Sequence, residues 1–155
     1  MKKMGIIYGS STGTCESIAQ TIAEKLGVAS VDVIDASKIT TEKVGGYDIL
    51  LLGTSTWGDG ELQDDWYDAI KTVKTADLNG KIVALFGCGD SESYCDTFCD
   101  GCTFVGAVPA DEYSYSSSIA VIDGKFVGLA LDDVNESGKT EERINNWIEE
   151  IKKNL

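Results

Sequence analysis

Ser10, Ser11, Thr12, Gly13, Thr14 and Cys15 place four hydroxyls, a glycine and a thiol at consecutive positions. Ahead of a helix, such a stretch makes a phosphate cradle of neutral donors. Its hydroxyls donate, Gly13 permits a sharp turn, and the helix N-terminus adds unpaired N–H groups with partial positive charge. Neither Lys nor Arg occurs between Lys3 and Lys25. The stretch therefore lacks the lysine of a nucleotide-cleaving loop and the triple-glycine spacing of a dinucleotide fingerprint. It suits a mononucleotide phosphate that is held and not cleaved. An ordinary Ser/Thr-rich turn capping a helix would carry the same residue types.

Two further loops supply flat side chains. Thr54-Ser55-Thr56-Trp57-Gly58-Asp59-Gly60-Glu61 puts a tryptophan among glycines and acids, where a planar partner would explain it. Cys88-Gly89-Asp90, running on to Tyr94, offers a second aromatic. Stacking adds about 0.5–1.5 kcal/mol beyond the burial of an aromatic. Taken singly, each aromatic is equally compatible with packing; together with the cradle they describe a ring between Trp57 and Tyr94, its phosphate on the first loop.

Composition narrows what such a site can do. The 155 residues contain no histidine, which removes the commonest general base and metal ligand at neutral pH. Chemistry then falls to a cofactor. Twenty-six acidic against 13 basic residues give a net charge of −13, which disfavours nucleic acid and anionic membrane and favours basic protein partners. With no signal-peptide core, no apolar run approaching the ~20 residues of a membrane span, and an odd number of cysteines, the expectation is one soluble cytoplasmic domain over residues 1–155 with reduced thiols.

These loops need a frame. Met4–Tyr8, Ser30–Ile34, Ile49–Gly53 and Ile82–Gly87 read as strands buried on both faces of a parallel sheet. Between and after them, Ile18/Ala19/Ile22/Ala23/Leu26, Leu62/Trp66/Ile70/Val73 and Ile144/Trp147/Ile148/Ile151/Leu155 keep a helical period. Thr140-Glu141-Glu142 opens the last helix with a cap and with acids at the positive dipole end. The alternation predicts an α/β fold with a doubly wound parallel sheet. Its ligand site would lie at the carboxyl ends of the strands. Asp123-Gly124 between apolar runs predicts a hairpin, a β excursion in or beside the last strand. Only residues 91–103, thirteen in all, separate Asp90 from Phe104, so any helix in that crossover is short.

In these motifs the sequence resembles the flavodoxin family over nearly its whole length. The family's phosphate loop is similar to Ser10–Cys15, with Cys15 in place of a final Thr. Its isoalloxazine loops resemble Ser55–Asp59 and Cys88-Gly89-Asp90 through Tyr94, Asp96 and Thr97. Gly124–Asp132 looks like the end of the extra loop of long-chain members. The resemblance implies a five-stranded sheet of order 2-1-3-4-5, an order that flavodoxins themselves exemplify, with a shortened or missing fourth helix. It implies FMN held non-covalently by Ser10, Ser11, Thr12, Gly13, Thr14, Cys15, Thr56, Trp57, Gly58, Cys88, Gly89, Asp90, Tyr94 and Thr97. The function it implies is a low-potential one-electron carrier and not an enzyme. Asp59, Glu61, Asp64 and Asp65 would dock basic faces of redox proteins such as a flavodoxin or ferredoxin reductase and an electron acceptor. Because a thiol donates more poorly than a hydroxyl, Cys15 is expected to weaken one phosphate contact. The short crossover implies an uncovered patch of sheet and a monomer that self-associates weakly. The rivals are an FMN-dependent reductase and a binding module that has lost FMN. Cys95, Cys99 and Cys102 have the C-x3-C-x2-C spacing of iron–sulfur sites and a C-x-x-C pair. Neither the barrel context of the former nor the thioredoxin-like context of the latter is present, so no metal is assigned.

Overall fold

A computed structural model describes residues 2–10, 13–57, 61–62, 65–76, 81–89, 113–116, 119–122, 129–132, 138 and 140–153. Strand β1 (Met4–Gly9) leads into helix α1 (Thr14–Leu26), a 3-10 turn (Ser30–Asp32) and β2 (Val33–Asp35). A second 3-10 turn (Ala36–Lys38) and the short helix α2 (Thr41–Gly45) precede β3 (Ile49–Trp57). Then come β4 (Glu61–Leu62), α3 (Trp66–Thr75), β5 (Ile82–Gly89), β6 (Tyr113–Ser116), β7 (Ile119–Ile122), β8 (Leu129–Asp132) and α4 (Thr140–Lys153).

The main sheet runs β2-β1-β3-β5-β8, every neighbouring pair parallel. Counting only these five strands, this is the order 2-1-3-4-5 of the expected fold. Right-handed crossovers put α1 and α4 on one face and α2 and α3 on the other, and α1 packs beside α4 and α2 beside α3. With both faces covered, the central strands read as unbroken apolar runs. Ile6, Ile7, Ile49, Leu50, Leu51 and Leu52 are all fully buried. Against them lie the predicted stripes, Ile18, Ala19, Ile22 and Ala23 of α1 and Ile144, Trp147, Ile148 and Ile151 of α4. Phe86 meets Trp147 edge to face at 6.0 Å. Its ring also lies over Gly53, where a Cβ would sit 2.1 Å from Phe86 Cζ, so β3 needs a glycine there.

Two expectations change. The run Ser30–Ile34 is not one strand; Ser30–Asp32 form a 3-10 turn with Val31 78% exposed, and pairing starts at Val33. Asp32 is drawn out of the sheet by Tyr47 Oη, which donates to its Oδ1 at 2.9 Å. Leu62 belongs to β4, paired antiparallel with Thr56, and α3 begins only at Trp66. The β excursion is present in β6 and β7, which pair antiparallel with Ser116 opposite Ile119. Leu129–Asp132 form the last strand of the main sheet, beginning beside Phe86. The crossover 91–103 and residues 123–128 lie outside the described residues.

Candidate functional site

Three strand ends converge at the carboxyl edge of the sheet. Gly9, the last residue of β1, pairs with Thr54 of β3, and Thr54 with Gly87 of β5; one step on, Ser55 pairs with Cys88. Strand order reverses between β1 and β3, because α1 carries the chain toward β2 and α3 carries it toward β5. Loops leaving adjacent ends in opposite directions open a crevice, the usual ligand position in such sheets.

The first wall is the turn into α1. Gly13 has φ 89° and ψ −7°, a left-handed conformation open to glycine at little cost. Nothing lies within 4 Å of where its Cβ would be, so conformation and not crowding demands glycine. Its N–H donates to Ser10 Oγ at 3.0 Å, and its carbonyl accepts the first helical bond, from Ser17 N–H, at 3.0 Å. Ser10 thus uses an acceptor lone pair on the turn and keeps its hydroxyl proton as a donor. The cap position carries no side chain, and the α1 terminus adds partial positive charge to the loop. Cys15 is fully buried in the core cluster. Ser11 and Thr12 lie outside the described residues.

The second wall is a β-hairpin. Thr56 pairs with Leu62 and Trp57 with Glu61. Its base is fixed from below: Trp66, fully buried, donates from Nε1 to the Gly53 carbonyl at 2.7 Å. Sequence reasoning placed Trp66 only in a helical stripe. An indole that begins a helix and is buried needs a partner for its N–H, and that was the available signal. Cys88 and Gly89 end β5 beside Ser55 and Asp132. Gly58, Asp90, Tyr94 and Thr97 lie outside the described residues, as do Asp59 and Asp64.

The edge is electronegative. The Tyr8 hydroxyl, at the end of β1, is pushed above its ordinary range by burial first, then by the carboxylates of Glu16 and Asp35. Asp65 and Asp68 stand at the start of α3, beside Tyr67, one of two large exposed apolar side chains among the described residues. A shallow recess of about 350 Å³ lined by Ser37, Asp65, Asp68 and Thr72 adjoins them. A larger cavity of about 500 Å³ lies at the opposite edge, among Lys2, Lys3, Leu26, Val28 and Ile49. It is remote from the converging strand ends and has no part in the crevice.

The comparisons with known proteins agree on one family. The family model described as Flavodoxin matches residues 6–147. Flavodoxin 1 of Salmonella typhimurium is 43% identical over 164 aligned positions, covering 97% of this chain and 93% of that protein. A flavodoxin of Klebsiella pneumoniae is 41% identical, covering 100% and 96%. Among solved structures, Fusobacterium nucleatum flavodoxin bound to flavin mononucleotide superposes with a TM-score of 0.82 at 28% identity, covering 100% of this chain and 99% of that one.

Proposed function

The chain belongs to the flavodoxin family, and on that premise we propose that it carries electrons between redox proteins on one FMN held non-covalently in the crevice at the carboxyl edge of β1, β3 and β5. Bound there, FMN supplies the one-electron chemistry; the protein binds it, orients it and sets the charge around it. The observation that carries the reading is the register of Gly9, Thr54–Ser55 and Gly87–Cys88, adjacent strand ends at the reversal of strand order, with α1 starting beside them.

The residues present fit this group. A phosphomonoester needs donors more than countercharge when it is never cleaved. Ser10, the left-handed Gly13 turn and the α1 terminus supply them without a lysine. In this reading Ser11, Thr12 and Thr14 add hydroxyls, and Cys15 contributes through its main chain. Thr56, Trp57 and Gly58 on the hairpin, and Cys88, Gly89, Asp90, Tyr94 and Thr97 after β5, enclose the ring. Glu16, Asp35, Asp65 and Asp68 surround this edge with negative charge. A like charge 10 Å away costs about 1.7 kcal/mol at an effective dielectric of 20, so several of them oppose adding an electron and hold the potential low.

The same charge supports a docking face for basic redox partners, built from Glu61, Asp65 and Asp68 with Asp59 and Asp64. A flavodoxin or ferredoxin reductase on one side and an acceptor on the other are the partner classes it fits. Residues 1–155 act in this reading as one domain, in the cytoplasm. Among the described residues no helix is long and apolar enough to cross a membrane. The short crossover supports weak self-association of an otherwise monomeric protein.

Titration of the chain with FMN, followed by absorbance and fluorescence, tests the reading. One equivalent should bind with its emission quenched. Trp57→Ala combined with Tyr94→Ala should restore much of the emission and weaken binding by about 1–3 kcal/mol, since two stacked aromatics are lost. Unchanged affinity in the double variant would remove the sandwich. Electron transfer to a basic partner should slow as salt rises past ~0.1 M, where the Debye length is ~10 Å; a rate indifferent to ionic strength would remove the acidic docking face.

A further inference from the structure

Trp66 stands apart from the predicted cofactor contacts, yet it is a fully buried side chain whose hydrogen bond ends on the strand carrying the hairpin. Its indole N–H reaches the Gly53 carbonyl at 2.7 Å, thirteen residues back along the chain. Between these two points lies the whole excursion that the flavin reading uses: Thr54–Trp57, residues 58–60, β4 and the turn into α3. Both ends of the excursion are otherwise held by different things. Its start is held by the ladder, where Gly53 pairs with Tyr8 and Phe86, and its end by the burial of Trp66, Ala69 and Val73 in the core. The indole bond couples the two, closing the loop at its base.

Three observations make this a specific clamp and not a by-product of burial. A carbonyl oxygen has two lone pairs, so Gly53 can serve the ladder and the indole together. Gly53 cannot acquire a side chain, because Phe86 fills the space above it; the β3 backbone is thereby pressed between Phe86 on the face of α1 and α4 and Trp66 arriving with α3. The contact lies directly before Thr54, the buried polar residue that pairs with Gly9 and Gly87 at the crevice floor. We infer that Trp66 is a positioning residue: by holding the Gly53 carbonyl it orders the β3 end and its hairpin for the flat ring of the cofactor, without touching the phosphate loop. This rests on the flavin reading of the crevice given above.

The test is Trp66→Phe, which keeps an apolar ring and removes the N–H. In the flavin-free chain, backbone hydrogen exchange at Thr54–Trp57 should rise about three- to tenfold relative to Ile6–Tyr8 of β1, the worth of one hydrogen bond. Riboflavin and FMN should both bind about three- to tenfold more weakly, while inorganic phosphate binding stays within twofold. Ile151→Ala, a buried aliphatic on α4, serves as the control for lost stability. It should raise exchange across β1 and β3 together and leave riboflavin affinity in the folded chain within twofold. Exchange at Thr54–Trp57 that rises no more than in β1, or equal weakening of riboflavin and phosphate, would overturn the inference. A parent chain that binds neither FMN nor riboflavin overturns the flavin reading itself. The exchange measurement, which needs no flavin, tells that outcome apart from failure of the clamp.

Discussion

The two edges of the same parallel sheet are finished in opposite ways. At the amino edge, side chains tie loops to one another. Tyr47 donates to Asp32 at 2.9 Å and lies flat over Gly5, whose Cβ would come within 2.7 Å of its ring. Lys3 pairs with Asp32 at 3.7 Å and stands 5.0 Å from the centre of the Tyr47 ring, while its backbone N–H donates to Asp48 at 2.8 Å. Lys81 Nζ donates to the carbonyls of Tyr47 and Gly45. At the carboxyl edge, Gly9, Gly13, Gly87 and Gly89 with small hydroxyl residues leave a crevice. Among the described residues the polar contacts there are a left-handed turn whose Gly13 N–H donates to Ser10 Oγ, a helix terminus, Ser37 donating to Asp35, and an indole bond to a carbonyl. Among the described residues, side-chain cross-links between distant segments gather at the edge where no ligand is needed, and the crevice edge presents backbone groups that a phosphate and a ring can engage.

If that division is real, damage at the two edges should separate stability from flavin binding. The largest effect is expected from Tyr47→Ala. It removes a buried aromatic, 5% exposed, together with its hydrogen bond, and such truncations cost about 3–5 kcal/mol. Urea unfolding should show that loss, while FMN affinity measured in the folded fraction stays within twofold of the parent. An FMN affinity that collapses along with stability would mean the edges are not independent.

Gly13→Ala is the converse. A Cβ meets nothing within 4 Å there, so the cost is that of the left-handed backbone, about 1–2 kcal/mol. It should fall mainly on FMN affinity, because the turn aims the α1 terminus and Ser10. A variant that binds FMN as tightly as the parent would place the phosphate elsewhere.

The same contrast explains what was legible in the sequence. Buried parallel strands and α1 announce themselves by local pattern: Ile49–Leu52 and the Ile18/Ile22 stripe are where periodicity puts them. The turn before α1 was legible for the same reason, since the left-handed Gly13 is encoded by its own residue type. What escaped depends on partners distant in sequence. Asp32 reads as strand until Tyr47, fifteen residues on, claims it. Leu62 fits the stripe of α3 but pairs with Thr56 across a tight hairpin, which no helical count reveals. Helix α2 spans five residues and is too short for a period to show, although Thr40 caps it by accepting from Lys43 N–H at 3.3 Å. Trp66 shows the limit most clearly, because its apolar face is periodic and legible, whereas the destination of its N–H is a matter of tertiary packing.

The smallest expected effect sharpens the comparison by acting on one hydrogen atom of the closed edge. The Tyr47 phenol is pushed up to about 12, by burial first and then by its hydrogen bond to Asp32 and the charge of that carboxylate. A raised phenol means the folded chain keeps a proton that the unfolded chain releases near 10, so the contribution to stability is fully present below pH 10. It is lost as pH climbs through about 12. Tyr8 is raised as well and follows the same sign, but it is present in parent and variant alike. Tyr47→Phe should therefore cost about 1 kcal/mol at about pH 8, where the bond to Asp32 is intact. The parent should then lose stability faster than the variant above pH 10, so that the gap between the two curves closes between pH 10 and about 12. Urea midpoints across that range measure it. Parallel curves would mean that the folded chain does not hold the Tyr47 proton above its ordinary range, and that neither burial nor Asp32 acts on it.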